Sequence, residues 1–115
     1  MTQLLDLAAM QQPMKPALFE TGRVVVTAAL DQWVSETLPP QLLLGSFWAL
    51  ILVNAHTRGV DWDKLPGGDG DLNWQSLEPG DEGRIMSVYK IGEETIWLIT
   101  EWDRSTTTLL FPSDY

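Results

Sequence analysis

The clearest alternation of apolar and polar positions lies in the C-terminal third of the chain. Ile85, Ser87, Tyr89 and Ile91 alternate with Met86, Val88 and Lys90, and Gly92-Glu93-Glu94 interrupts them. Ile96, Leu98 and Thr100 then oppose Trp97, Ile99 and Glu101. Asp103-Arg104-Ser105 interrupts again, and Thr106 to Phe111 returns. Successive side chains of a strand point to opposite faces, so a period of two bounded by turn residues reads as strands joined by tight turns. The pattern predicts a three-stranded antiparallel meander. Its middle strand is apolar on both faces, as expected where helices cover one side and further protein the other.

Upstream the pattern changes. Gly22-Arg23 opens Val24-Val25-Val26, a β-branched run that reads as a fourth strand. Thr27 is expected to cap a helix over Ala28–Glu36 through its hydroxyl. Leu30, Trp33 and Val34 fall at i, i+3 and i+4 on one face of that helix. Pro39-Pro40 ends it, and Gln41–Thr57 is expected as a second helix with Pro40 at its start. Gly45 inside this stretch suggests a close helix crossing, and Gly59 a left-handed cap. Val60–Leu65 reads as one turn around Trp62, Pro66–Asp71 as a loop, and Leu72–Leu77 as a further turn. Residues 1–18, with a short helical pattern at Met1–Leu7 followed by Pro13 and Pro16, read as an N-terminal arm, and residues 19–115 as a single domain. The fold class is α+β: a small antiparallel β-meander of three to four strands packed against two main helices.

The second helix has a property of its own. Leu42, Leu43, Leu44, Phe47, Trp48, Leu50, Ile51, Leu52 and Val53 surround it on all sides. A helix apolar all round must be buried all round. Two outcomes satisfy that demand. The helix is a core element between the sheet, the first helix and the arm, or it forms a homodimer through Leu43, Phe47, Trp48 and Ile51.

Composition narrows the function. The chain has 115 residues, enough for one core without staples, and no cysteine. Disulfides and thiolate metal sites are excluded, and a cytoplasmic setting is the natural expectation. Asp6 and the lack of an early Lys or Arg argue against a secretory signal. The apolar stretch Leu42–Ala55 is too short to span a bilayer core of about 30 Å, so no membrane role is expected. Sixteen carboxylates face seven Lys and Arg, a net charge of −9. Direct nucleic-acid binding is disfavoured, because that affinity comes from cations displacing counterions.

No catalytic residue, metal or cofactor is expected. A single histidine, His56, rules out two-histidine metal motifs, and it reads as a helix-end cap or interface residue. A calcium loop begun at Asp69 would find Trp74 and Gly80 where glycine and glutamate are required. There is no G-x-S-x-G elbow, phosphate loop or dinucleotide fingerprint. The one polar constellation with enzymatic geometry is Glu101, Asp103 and Arg104, a small hydrolase-like site. Its competing reading is a set of ion pairs with Arg104 or Arg84 that brace the hairpin.

The acid-rich segment weighs more. Asp61, Asp63, Asp69, Asp71, Glu78, Asp81 and Glu82 stand against one interior base, Lys64, and Trp62 and Trp74 are interleaved. Tryptophan is a favoured interface anchor. Asp61, Trp62, Asp63, Asp69, Asp71, Trp74 and Glu78 are therefore expected to bind a protein partner with a basic surface. The competing reading is a solvated loop whose tryptophans fold inward.

Ile96 to Tyr115, I-W-L-I-T-E-W-D-R-S-T-T-T-L-L-F-P-S-D-Y, resembles the C-terminal signature of a family of small bacterial proteins carried on plasmids and integrated mobile elements. The family pattern there is W-I-I-T-E-A-D-R-S-x-T-T-x-L-L-P-x-x-Y. Gly22-Arg23-Val24-Val25 and the segment from His56 through Gly59 to Asp61-Trp62-Asp63-Lys64-Leu65 are similar to its upstream blocks, so the resemblance spans roughly residues 20–115. Trp102 stands where the family has a small residue. The resemblance implies a compact α+β domain and a mobile-element setting, in which small acidic proteins often inhibit host defence complexes of the restriction or CRISPR type. It carries over no catalytic residues.

Overall fold

The computed structural model describes residues 16–115. The fold is α+β, a four-stranded sheet with helices on one face. The strands are β1 (Arg23–Val26), β2 (Ile85–Ile91), β3 (Glu94–Thr100) and β4 (Thr106–Leu110), in the spatial order β1-β4-β3-β2. The expected meander is present, with β2 antiparallel to β3 and β3 antiparallel to β4. The valine run adds the fourth strand, but parallel to β4, so the sheet is mixed. The short helix expected at Met1–Leu7 lies outside the described residues. The last part of the arm is tied down where the Leu18 amide donates to the Thr57 carbonyl at 2.7 Å.

The helices are α1 (Ala28–Thr37), α2 (Pro40–Leu43), α3 (Phe47–Thr57) and α4 (Asp69–Gln75). Leu30 and Val34 of α1 are buried as their spacing demands. Thr27 occupies the cap position but does not cap α1 with its side chain. Its hydroxyl donates instead to the Asp114 carboxylate at 2.7 Å, and the same Asp114 oxygen accepts the Phe111 amide. Donation of its one proton to a charged acceptor holds the hydroxyl toward Asp114 rather than toward the first amides of α1.

The second expected helix is broken. Leu44–Ser46 is a tight turn in which Gly45 and Ser46 have φ of 62° and 55°. Glycine accepts the left-handed conformation without a steric penalty, so the chain changes direction there. The expected close crossing at Gly45 is absent, since nothing lies within 4 Å of where its Cβ would be. Breaking the helix resolves the conflict of an all-round apolar surface. Trp48, Ile51, Leu52 and Ala55 of α3 enter the core with Leu30, Val34, Tyr89, Ile91, Ile96, Leu98 and Leu109. Leu43 and Phe47 are half-buried against the same cluster. Trp48 and Ile51 therefore contact their own sheet and are closed to a second chain. Leu44 and Leu50 point to solvent instead.

The Pro66–Asp71 stretch is helical, not a loop. Pro66–Gly68 makes one tight turn, and α4 starts at Asp69. Asp69 and Asp71 lie in its first turn, where carboxylates face the positive end of the helix dipole. The α4 residue Asn73 closes one position of the β2 edge. Its side-chain amide donates to the Met86 carbonyl at 2.7 Å and its carbonyl accepts the Met86 amide at 3.0 Å.

Candidate functional site

Three polar assemblies compete for a functional role. The first is entirely internal. His56 on α3, Ser87 on β2, Thr100 on β3 and Thr107 on β4 all point to the helix-covered face and are fully buried. His56 Nδ1 lies 2.5 Å from Ser87 Oγ, and Nε2 lies 2.8 Å from Thr100 Oγ1. Thr100 Oγ1 is 2.6 Å from Thr107 Oγ1, and Thr107 donates to the Thr21 carbonyl at 2.9 Å. At the other end the Trp62 indole N–H donates to Ser87 Oγ at 2.8 Å.

The ends fix the polarity of this chain. An indole N–H can only donate and a carbonyl can only accept. Thr107 spends its proton on Thr21, so Thr100 donates to Thr107, and His56 Nε2–H donates to Thr100. Ser87 accepts from Trp62 and donates to His56 Nδ1. One tautomer of neutral histidine satisfies every group, and no buried side-chain polar atom among the described residues lacks a partner. Burial, with the Arg104 charge as a smaller cause, pushes the His56 pKa down to about 3. Ser87 and His56 thus have the contact of a nucleophile and its base, yet both are sealed. His56 is neither the cap nor the interface residue expected from its position. Phe19 closes the network from the arm side, edge-on to His56 at 5.0 Å and stacked on Trp62 at 6.2 Å.

The second assembly is the Glu101, Asp103 and Arg104 triplet, and its groups do not converge. Glu101 pairs with Arg84 at 3.3 Å. Asp103 accepts the Ser105 amide at 3.1 Å, and the Ser105 hydroxyl and amide hold its carboxyl below the usual range. Among the described residues Arg104 forms no ion pair with either acid. It donates to the carbonyls of Gly83, Glu101, Trp102 and Ser76 at 2.7 to 3.2 Å, and it lies over the Phe19 ring at 5.8 Å. This is the hairpin brace, made mostly of carbonyl contacts. Arg104 itself has φ of 60°, a conformation that side chains disfavour and that the four carbonyl contacts hold in place.

The third assembly is the acidic segment. Trp62 is buried, with its N–H committed to Ser87, so it is not the surface anchor expected of it. It acts as a wall for Trp74, which packs edge-on against it at 4.8 Å. Trp74 remains 47% exposed, and its helix neighbour Leu72 is exposed too. Gly70 makes this packing feasible. A Cβ there would sit 2.1 Å from the Trp62 carbonyl oxygen. Beside this indole pair opens a cleft of about 280 Å³, lined also by Asp63, Leu65, Gly68 and Asp71. Asp63, Asp71, Glu78, Asp81 and Glu82 are exposed, and Asp61 and Asp69 are half-exposed. The segment's one base is turned to Asp61, with Lys64 Nζ at 3.2 Å. Backbone amides, its own and that of Gly80, hold the Glu82 carboxyl below its ordinary range. All seven acids reach solvent, and two of them, Asp63 and Asp71, border the cleft beside the half-exposed Trp74 indole.

The chain matches no family model, no curated protein and no solved structure. Among the described residues no helix is long and apolar enough to cross a membrane, and no group of three or more His, Asp or Glu side chains is placed to hold a metal ion. The residues behind the resemblance have architectural duties here. Glu101 pairs with Arg84, Arg104 ties the last hairpin to residues 76 and 83, and Thr100 and Thr107 continue the buried network.

Proposed function

We propose that this protein is a small, non-enzymatic acidic module that binds the cationic surface of a protein partner through the rim around Trp74. One observation carries the reading. A half-exposed indole, fixed from behind by a buried one, borders a cleft with Asp63 and Asp71 at its edge. A lysine or arginine side chain suits that arrangement. Its cation is attracted to the face of the Trp74 ring and its donors to the carboxylates. The surrounding acids raise the encounter rate with a basic partner and make it salt-dependent.

The resemblance to mobile-element proteins suggests a class of partner. A host defence complex of the restriction or CRISPR type carries a basic groove that binds nucleic acid, and a −9 protein suits occupation of that groove. Inhibition would follow by competition with the phosphate backbone.

The test is affinity capture from bacterial lysate with four immobilised proteins. They are the wild type, W74A, the double variant D63K/D71K, and the charge-matched control E93K/E94K where the β2–β3 turn enters β3. The reading expects a basic protein held by the wild type and the control and lost by the other two. Equal capture by all four, or loss that follows net charge alone, overturns it.

A further inference from the structure

The outer edge of β2 lies beside a groove that shares Leu65 with the Trp74 cleft and opens along a different element. In an antiparallel pair each residue directs its N–H and C=O to the same side, and the side alternates along the strand. Asn73 takes both backbone groups of Met86 from outside the sheet. Val88 and Lys90 share the parity of Met86, so their N–H and C=O also face away from β3. Among the described residues nothing bonds to them. Beside this open stretch runs a groove of about 330 Å³, lined by Leu65, Pro66, Val88 and Tyr89 together with Lys90 and the Asp61–Lys64 ion pair. Tyr89 is immobilised by its hydroxyl, which donates to the Val60 carbonyl at 2.9 Å.

We propose that this edge binds an extended peptide segment of another protein by strand addition, with an acidic side chain of that segment directed to Lys90. Two donors and two acceptors at strand spacing specify an extended backbone, because only a strand presents complementary groups at that repeat. Charge specifies the side chain. The chain has three lysines in a net charge of −9, and two of them flank this groove. Lys64 is engaged by Asp61, and Lys90 is exposed without a carboxylate partner among the described residues. The apolar wall of Leu65 and Pro66 accepts one aliphatic side chain beside it. Other edges of this kind are usually protected by cover or by a like-charged row. Here, among the described residues, the hydrogen-bonded cover stops after Met86.

The experiment is an amide-resolved NMR titration of the full chain. The probes are capped peptides that alternate valine with glutamate, the same peptide with lysine in place of glutamate, and the glutamate peptide N-methylated on its pairing amides. The expected result is saturable shifts confined to Val88–Lys90 and Lys64–Leu65, with new exchange protection of the Val88 and Lys90 amides. The glutamate peptide should bind several-fold tighter than the lysine peptide, and N-methylation should abolish binding. K90E should reverse the charge preference. V88P removes one outward donor that the sheet does not use, and should weaken binding while leaving the β3 pairing intact. Absence of saturable shifts, equal binding of the N-methylated peptide, or an unchanged preference in K90E overturns the proposal. So does self-association through these amides without peptide, which would assign the edge to a second copy. W74A should bind the peptides as the wild type does, so this site and the Trp74 rim fail or stand separately.

Discussion

The Trp62 indole donates to Ser87 Oγ at 2.8 Å, at one end of a buried hydrogen-bond chain whose direction is set from the other end by the Thr21 carbonyl. Protonated His56 has no place in that order. It would donate from both nitrogens, and the Ser87 hydroxyl would lose its buried acceptor.

Acid sensitivity follows with a definite sign. The His56 pKa is lowered from 6.5 to about 3 on folding. The unfolded chain therefore binds more protons between those values, and stability falls as pH falls through the window. The contribution is fully present above pH 6.5 and fully lost below about 3. At 1.36 kcal/mol per unit it is on the order of 4 to 5 kcal/mol. The imidazole resonances should show no titration near 6.5, and urea midpoints should drop steadily on acidification. A midpoint near the ordinary histidine value would contradict the buried network.

Ser87→Ala tests the same network at neutral pH. It strands the Trp62 N–H and the His56 Nδ1 together, two buried groups at about 1 to 3 kcal/mol each. Denaturant unfolding should show a loss of about 2 to 6 kcal/mol, large for the removal of one oxygen. A loss under about 1 kcal/mol would mean that water or a rotated histidine replaces the hydroxyl.

Arg104 combines a strained backbone with a capping guanidinium, and two variants separate the contributions. Both Arg104→Ala and Arg104→Gly lose the contacts to Gly83, Glu101, Trp102 and Ser76. Only glycine relieves the φ of 60°. The glycine variant should be the more stable of the two by about 1 kcal/mol, and both less stable than the wild type. Thermal or urea denaturation reads the order directly.

At Gly70 two effects oppose each other. Alanine favours a helix over glycine by about 1 kcal/mol. Its Cβ would meet the Trp62 carbonyl at 2.1 Å, a backbone atom that cannot rotate away. Overpacking of this kind costs about 1 to 3 kcal/mol or more, so the clash should win and Gly70→Ala should destabilise. The Trp74 indole resonance should shift with it, because α4 must move off Trp62.

Much of the fold is written in the alternation of residues 85–111 and in the spacing of Leu30, Trp33 and Val34, and those elements form where the pattern puts them. The direction of β1 was not legible, because a valine run carries no information on which neighbour it joins. The break at Gly45 was hidden by leucines on either side of it, and the helix at Asp69 by flanking glycines that read as loop. The buried network had a signal of its own. Ser87, Thr100 and Thr107 share the parity of Ile85, Leu98 and Leu109, which makes them polar residues on the core face of three adjacent strands. A histidine near the end of the overlying helix is the natural partner for such a row. Trp62 and Trp74 looked alike in sequence. Packing separates them, one bound to Ser87 inside and the other left at the rim.

The most direct measurement is an NMR titration of the isotope-labelled protein with an octaarginine peptide at low and at high salt. The account predicts saturable shifts centred on the Trp74 indole, Leu72, Asp63 and Asp71, weakened by salt and lost in D63K/D71K. Shifts spread evenly over every exposed carboxylate, Glu93 and Glu94 included, with the Trp74 indole unmoved, would contradict it.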